Sequence, residues 1–220
     1  MSIKATLFSN LLHRLGLLLL LAAALFETNA PAQTYTYTNT AGGYWSSTIN
    51  WSNNTAPAVG GAVNDIIYFN FGTTTITTTN NLAGAFMLNQ FVVQGPEAVN
   101  FWCSNSASGI SSLMFTNNGS VLPSITNNLP GGNRILTLNT PITLATNLNI
   151  MVAGSSTTIN SNITEVTPGT TLAAINYVTN GAILGGSTNY LWLVGSNSYA
   201  GGTTNSGSLI VVQNNSALGF

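Results

Sequence analysis

The chain has 220 residues, of which three are Lys or Arg, four are Asp or Glu and one is His, giving a net charge of −1. Only 3% of its side chains are charged, against about one quarter in average proteins. So few cations exclude nucleic-acid binding by phosphate neutralisation, and the single cysteine, Cys103, excludes an internal disulfide. Hydrophobicity is ordinary, which favours a packed fold over disorder.

In chain order, the first segment, 1–32, reads as a secretory signal. Lys4 and Arg14 supply a positive n-region, Leu15 to Phe26 an apolar h-region, and Ala30-Pro31-Ala32 a small-residue site for cleavage before Gln33. The alternative is an uncleaved anchor, but an apolar core of about 12 residues is short of the roughly 20 that span a bilayer. Cleavage removes His13, the only histidine, together with the only lysine. The ionisable groups left are Asp65, Glu97, Arg134 and Glu165, with Cys103 and the tyrosines. No later segment is apolar for long enough to cross a membrane as a helix, so no membrane span is expected after cleavage.

From Gln33 onward the runs DIIYFNF, FMLNQFVV, RILTLNT, NLNIMVA, LAAINYV, YLWLV and SLIVV are rich in β-branched, aromatic or leucine residues. Asn-Asn, Asn-Gly, Gly-Gly and Pro-Gly turn signals separate them, and no segment repeats apolar residues at helical spacing. The chain is predicted to be all-β. Sandwich, barrel and solenoid remain open on that basis, and spacing favours the solenoid. The last three apolar runs begin near Thr171, Tyr190 and Ser208, about 18 or 19 residues apart, as expected for one coil. SLIVV and YLWLV are nearly continuous apolar runs, as in strands covered on more than one side.

The scarcity of charge points the same way. Like side chains of successive parallel rungs stack about 4.8 Å apart. Two like charges at that distance repel by about 1 kcal/mol in water and about 3 to 4 kcal/mol at an effective dielectric near 20. Asn and Thr, roughly a quarter of the chain against a typical share nearer one tenth, can instead form hydrogen-bonded ladders and turn corners.

The stretch NSYAGGTTNSGSLIVVQNNSALG, residues 197–219, resembles the autotransporter-associated β-strand repeat, also called the passenger-associated transport repeat. Asn197, Tyr199, Gly201, Gly202, Thr203, Gly207, Leu209, Val211, Ala217, Leu218 and Gly219 match its pattern, while Ala200 and Asn205 depart from it. The glycines are expected to turn the strand at positive φ, Gly201-Gly202 at one corner and Gly207 at the next. The resemblance implies a right-handed parallel β-helix, exported to or released from a Gram-negative-type cell surface as a structural or adhesive passenger. It carries no catalytic residues. Upstream, YWSSTINWSNNTAPAVGGAVNDIIYFNF resembles the entry module that precedes such repeats, through Trp45, Trp51, Pro57, Asp65 and Phe69. Residues 33–72 are therefore assigned to an N-terminal entry or cap module and 73–220 to the solenoid passenger region. Trp45 and Trp51 are expected to close its open end. The run stops at Phe220 without a capping segment, which reads as a fragment; any outer-membrane barrel would lie in a missing C-terminal part.

Chemistry is restricted by this inventory. Without His or Lys beyond the leader there is no Ser-His-Asp, Cys-His or Ser-Lys arrangement and no His-based zinc site. A glycosidase needs two acids about 5 to 10 Å apart, for which Asp65, Glu97 and Glu165 are the candidates, and Arg134 with an acid could imitate a lyase. Cys103, beside Trp102, reads as a small buried hydrophobe. The calcium-binding nonapeptide is absent and Asp65 has no carboxylate neighbours at ligand spacing, so no metal or other cofactor is expected. The expectation is a non-enzymatic surface passenger with surface glycans or other cell-surface material as candidate partners. Two alternatives stand beside it: a polysaccharide-active β-helix enzyme, and a carbohydrate-binding module using Trp45, Trp51, Trp102 or Trp192.

Overall fold

A computed structural model describes residues 32–219 except 71–74, 96–99, 107–110, 130–134, 154 and 177–189. Residues 1–31 of the 1–32 leader, Glu97 and Arg134 lie outside the described residues. Among the described residues the chain visits three sheets in rotation. The first holds β1 (Gln33–Tyr37), β3 (Asp65–Asn70), β6 (Gln90–Gln94), β9 (Ser124–Asn128), β12 (Leu148–Val152), β15 (Leu172–Asn176) and β17 (Thr203–Ser206). The second holds β2 (Gly43–Tyr44), β4 (Ile76–Asn80), β7 (Phe101–Asn105), β10 (Ile135–Leu138), β13 (Ser156–Ile159), β16 (Tyr190–Leu193) and β18 (Leu209–Val212). The third holds β5 (Gly84–Leu88), β8 (Ser111–Phe115), β11 (Ile142–Leu144) and β14 (Ile163–Glu165). Among the described residues every strand pairs in parallel with its counterpart in a neighbouring coil. The architecture is a parallel β-helix.

Alternation along each strand explains the core. In β12, Leu148, Ile150 and Val152 point inward and are buried, while Asn149 and Met151 stand outside. Register stacks these inward positions into columns, one of which runs Tyr35, Ile67, Phe91, Ile125, Ile150, Ala174 and Asn205. Each added coil thus buries apolar surface against both neighbours.

The step along that column is not the 18 or 19 residues expected. From Ile67 to Phe91 it is 24 residues and from Phe91 to Ile125 it is 34. Apolar runs count strands rather than coils, and a coil here holds strands of several sheets. The runs near Thr171 and Tyr190 fall in one coil on different sheets, whereas Tyr190 pairs with Leu209 of the next coil. Likewise FMLNQFVV is not one strand. It breaks at Asn89, which separates β5 of the third sheet from β6 of the first. The first of the described residues, up to Asn70, contribute β1, β2 and β3 to the same sheets as the later coils.

Several asparagines hold corners. Asn80 and Asn127 accept hydrogen bonds through Oδ1 from the backbone N–H two residues on, at Leu82 (3.1 Å) and Leu129 (3.2 Å). Others tie one coil to the next: Asn100 accepts from Ile135 N–H at 3.1 Å, Asn147 from Thr171 N–H at 2.9 Å and Asn162 from Ser196 N–H at 3.0 Å. A side-chain ladder forms on the second sheet, where Asn160 Nδ2 donates to Asn139 Oδ1 (2.9 Å) and Asn139 Nδ2 donates to Ser104 Oγ (3.3 Å). Between β8 and β9, residues 116–123 make an excursion that closes on itself. Asn118 and Val121 exchange backbone hydrogen bonds, and the buried Asn89 amide donates to Thr116 O and Val121 O.

The N-terminal end is sealed by rings. Trp45 is fully buried and Trp51 is 2% exposed, with their rings 5.9 Å apart edge to face and Trp51 Nε1 donating to Trp45 O at 2.8 Å. Trp45 also packs on Phe69, Phe86 and Phe91, so it fills the first coil's interior while Trp51 lies over it against Tyr37. Pro57, Asp65 and Phe69, the other residues singled out for this end, are buried as well. No helix among the described residues is long and apolar enough to cross a membrane.

Candidate functional site

The repeat-like stretch 197–219 folds as one turn of chain returning onto itself. Asn197, 1% exposed, accepts from Ile163 N–H of the preceding coil (2.8 Å) and donates to Ala217 O of the following one (2.5 Å). One buried amide therefore ties three coils together. Tyr199, fully buried, meets Thr203 Oγ1 at 2.5 Å, and Thr203 Oγ1 donates to Leu218 O at 3.1 Å. Gly202 and Gly207 take positive φ, as expected. Gly201 does not; it is required for close approach, because a Cβ there would lie 2.3 Å from Thr170 O. Asn205, a departure from the repeat pattern, bridges its own corner by accepting from Ser208 N–H and donating to Ser208 O. These roles are architectural.

The acids are placed apart. Asp65 opens β3 in the second coil and Glu165 closes β14 in the fifth, so three rungs, about 14 Å along the axis, separate them. That exceeds the roughly 5 to 10 Å of a glycosidase pair. Glu97 lies outside the described residues. Asp65 is 3% exposed, its carboxylate accepts from Ala62 N–H at 3.0 Å, and burial pushes its pKa up to about 6. Glu165 accepts from Thr170 Oγ1 and N–H, which hold its pKa below the usual carboxylate range. The Cys103 thiol is fully buried, 3.5 Å from Thr140 Oγ1, and burial pushes it up to about 11, far from thiolate reactivity. Among the described residues no three His, Cys, Asp or Glu side chains gather as a metal site.

The tryptophans divide into two classes. Trp45 and Trp51 are sealed in the core and offer no ring face to a ligand. Trp102 lies between buried Phe101 and Cys103, and Trp192 between buried Leu191 and Leu193, so alternation turns both indoles outward, where they are half-buried. Register puts them in one outward column of the second sheet: Thr77, Trp102, Thr137, Thr158, Trp192 and Val211. Tyr190, on the same strand, sets its ring 5.8 Å from that of Trp192. The Ser104, Asn139 and Asn160 ladder runs beside them. This face is the candidate site, and sequence reading did not assemble it. The F-W-C and L-W-L alternation marks each indole as outward, but only register shows that they share a column.

No family model, no curated protein and no solved structure matches the chain significantly.

Proposed function

We propose that the chain is an exported, cell-surface or secreted β-helical passenger whose role is structural and adhesive. The observation that carries this reading is the unbroken parallel register of the first two sheets, from β1 to β17 and from β2 to β18. Such a rod presents long lateral faces while its interior is closed. The described acids lie apart, and the buried polar residues of the 197–219 turn are engaged in joining coils. The signal-like leader and the likeness of 197–219 to the autotransporter-associated repeat support export.

The test is to express the full chain with a C-terminal epitope in a Gram-negative-type host. Cleavage before Gln33 by N-terminal sequencing, with the epitope secreted or labelled on intact cells, is the expected result. Cytoplasmic retention with the leader intact overturns the reading. Polysaccharide turnover that disappears in Asp65→Asn or Glu97→Gln would replace it with the enzymatic alternative.

A further inference from the structure

We infer that the outward face of the second sheet is a binding site for a neutral oligosaccharide laid along the coil axis. The inference rests on the adhesive reading above and supplies the chemical class of what is bound. Its core is a four-rung column, Trp102, Thr137, Thr158 and Trp192, carried by β7, β10, β13 and β16. The two indoles stand three rungs apart, about 14 Å by the spacing of paired strands. Between them the column drops to two threonines, so the profile is large, small, small, large. Thr137 is itself 6% exposed, so the open ground between the two aromatic platforms is the shallow stretch around half-buried Thr158.

The chemistry of the trough selects its occupant. Indole faces bury the C–H faces of sugar rings while leaving hydroxyls at the rim. Around them lie the hydroxyl of Thr158, the Tyr190 ring and the Asn139 and Asn160 amides, neutral groups that can both donate and accept. A hydrophobic protein partner would favour a continuous apolar patch, and threonines interrupt this one. An anionic polymer would need cations, and the described strands of this sheet carry none. A flat face with a few aromatic anchors and many small polar groups fits a neutral, extended carbohydrate.

The decisive measurement is affinity electrophoresis of the purified, leader-cleaved chain through gels containing soluble mixed-linkage β-glucan, xyloglucan or galactomannan, with polygalacturonate as the charged comparison. At least one neutral polymer is expected to retard the wild type. Trp102→Thr with Trp192→Thr, introducing the residue that neighbouring rungs already carry, should weaken that retardation at least about thirtyfold in apparent affinity, the scale of losing an aromatic hot spot. Each single change should fall between the two, and Tyr68→Ala on the first sheet should change nothing. Circular dichroism of the double variant should keep the wild-type β spectrum, since both side chains point away from the core. Retardation by none of the neutral polymers, by polygalacturonate alone, or equally in the double variant overturns the inference. A chain that is displayed on cells but ignores all three neutral polymers removes this site and leaves the scaffold reading standing. A chain retained in the cytoplasm removes the scaffold reading without bearing on the site.

Discussion

In the first three coils the interior is crowded with rings, whereas in the last two it is lined mainly by aliphatic side chains, with the single buried ring of Tyr199 beside the buried amide of Asn197. Tyr35, Tyr37, Trp45, Trp51, Phe69, Phe91 and Phe101 touch one another at centroid distances between 4.7 and 6.3 Å. The corresponding places later in the chain hold Leu172, Ala174, Leu191 and Leu193, then Asn205, Ile210 and Val212. Exposure follows the same gradient. Trp45 is completely covered, while Val212, on an inward position, is 44% exposed and Leu218 is 43% exposed. The contrast teaches that one cross-section can be stabilised in two ways. Rings bury large apolar area per residue, and where they are fewer, buried hydrogen bonds such as those of Asn197 hold one coil to the next.

Trp45→Ala should produce the largest effect, a loss of about 3 to 5 kcal/mol in denaturant unfolding, because the cavity would open against Phe69, Phe86 and Phe91. A smaller loss than that of Asn197→Ala would reverse the proposed division of labour. Asn197→Ala should cost about 2 to 3 kcal/mol, leaving Ile163 N–H and Ala217 O without their partner. Amide exchange should accelerate at Ile163 and around Ala217 while the first three coils stay protected; uniform acceleration would show that the amide serves the whole rod.

Asp65 sharpens the comparison with the opposite sign. Its folded-state pKa of about 6 lies above the ordinary 3.8, so the folded chain holds this proton more tightly than the unfolded one. Stability should be highest below pH 3.8, fall as pH rises to about 6, and be level above that. Asp65→Asn keeps an acceptor for Ala62 N–H and should stabilise the chain by about 1 to 3 kcal/mol at pH 7 while flattening this dependence. An unchanged pH profile in the variant would mean that the carboxylate is better solvated than its burial implies. The smallest effect is expected from Val212→Ala, within about 0.5 kcal/mol as at ordinary exposed positions. A core-sized loss there would show that the last coil is packed as tightly as the first.

The all-β, parallel character was legible because charge is scarce and the leucine-rich runs are continuous. The entry-module resemblance singled out Trp45 and Trp51, and both indoles are buried among Tyr37, Phe69 and Phe86. Coil length was not legible. Threonine- and serine-rich strands such as β4 (ITTTN) and β13 (STTI) carry little hydrophobic signal, because only alternate positions face inward and some of those, Thr78 and Thr157, are themselves polar. The Trp102 and Trp192 column was hidden for a related reason. Trp102 to Thr137 is a step of 35 residues, Thr137 to Thr158 one of 21, and Thr158 to Trp192 one of 34. No fixed period connects them, and only the pairing of the intervening strands sums those steps.

The excursion at residues 116–123 shows what unequal steps permit. The Asn89 amide holds it at Thr116 and Val121, and the exchange between Asn118 and Val121 closes its tip, with Gly119 and Ser120 exposed between them. Contour length is thus decoupled from cross-section. Foreign peptide grafted at that tip would ride outside the cylinder as cargo, and decoration can accumulate on the flank of the molecule while its scaffold stays the same.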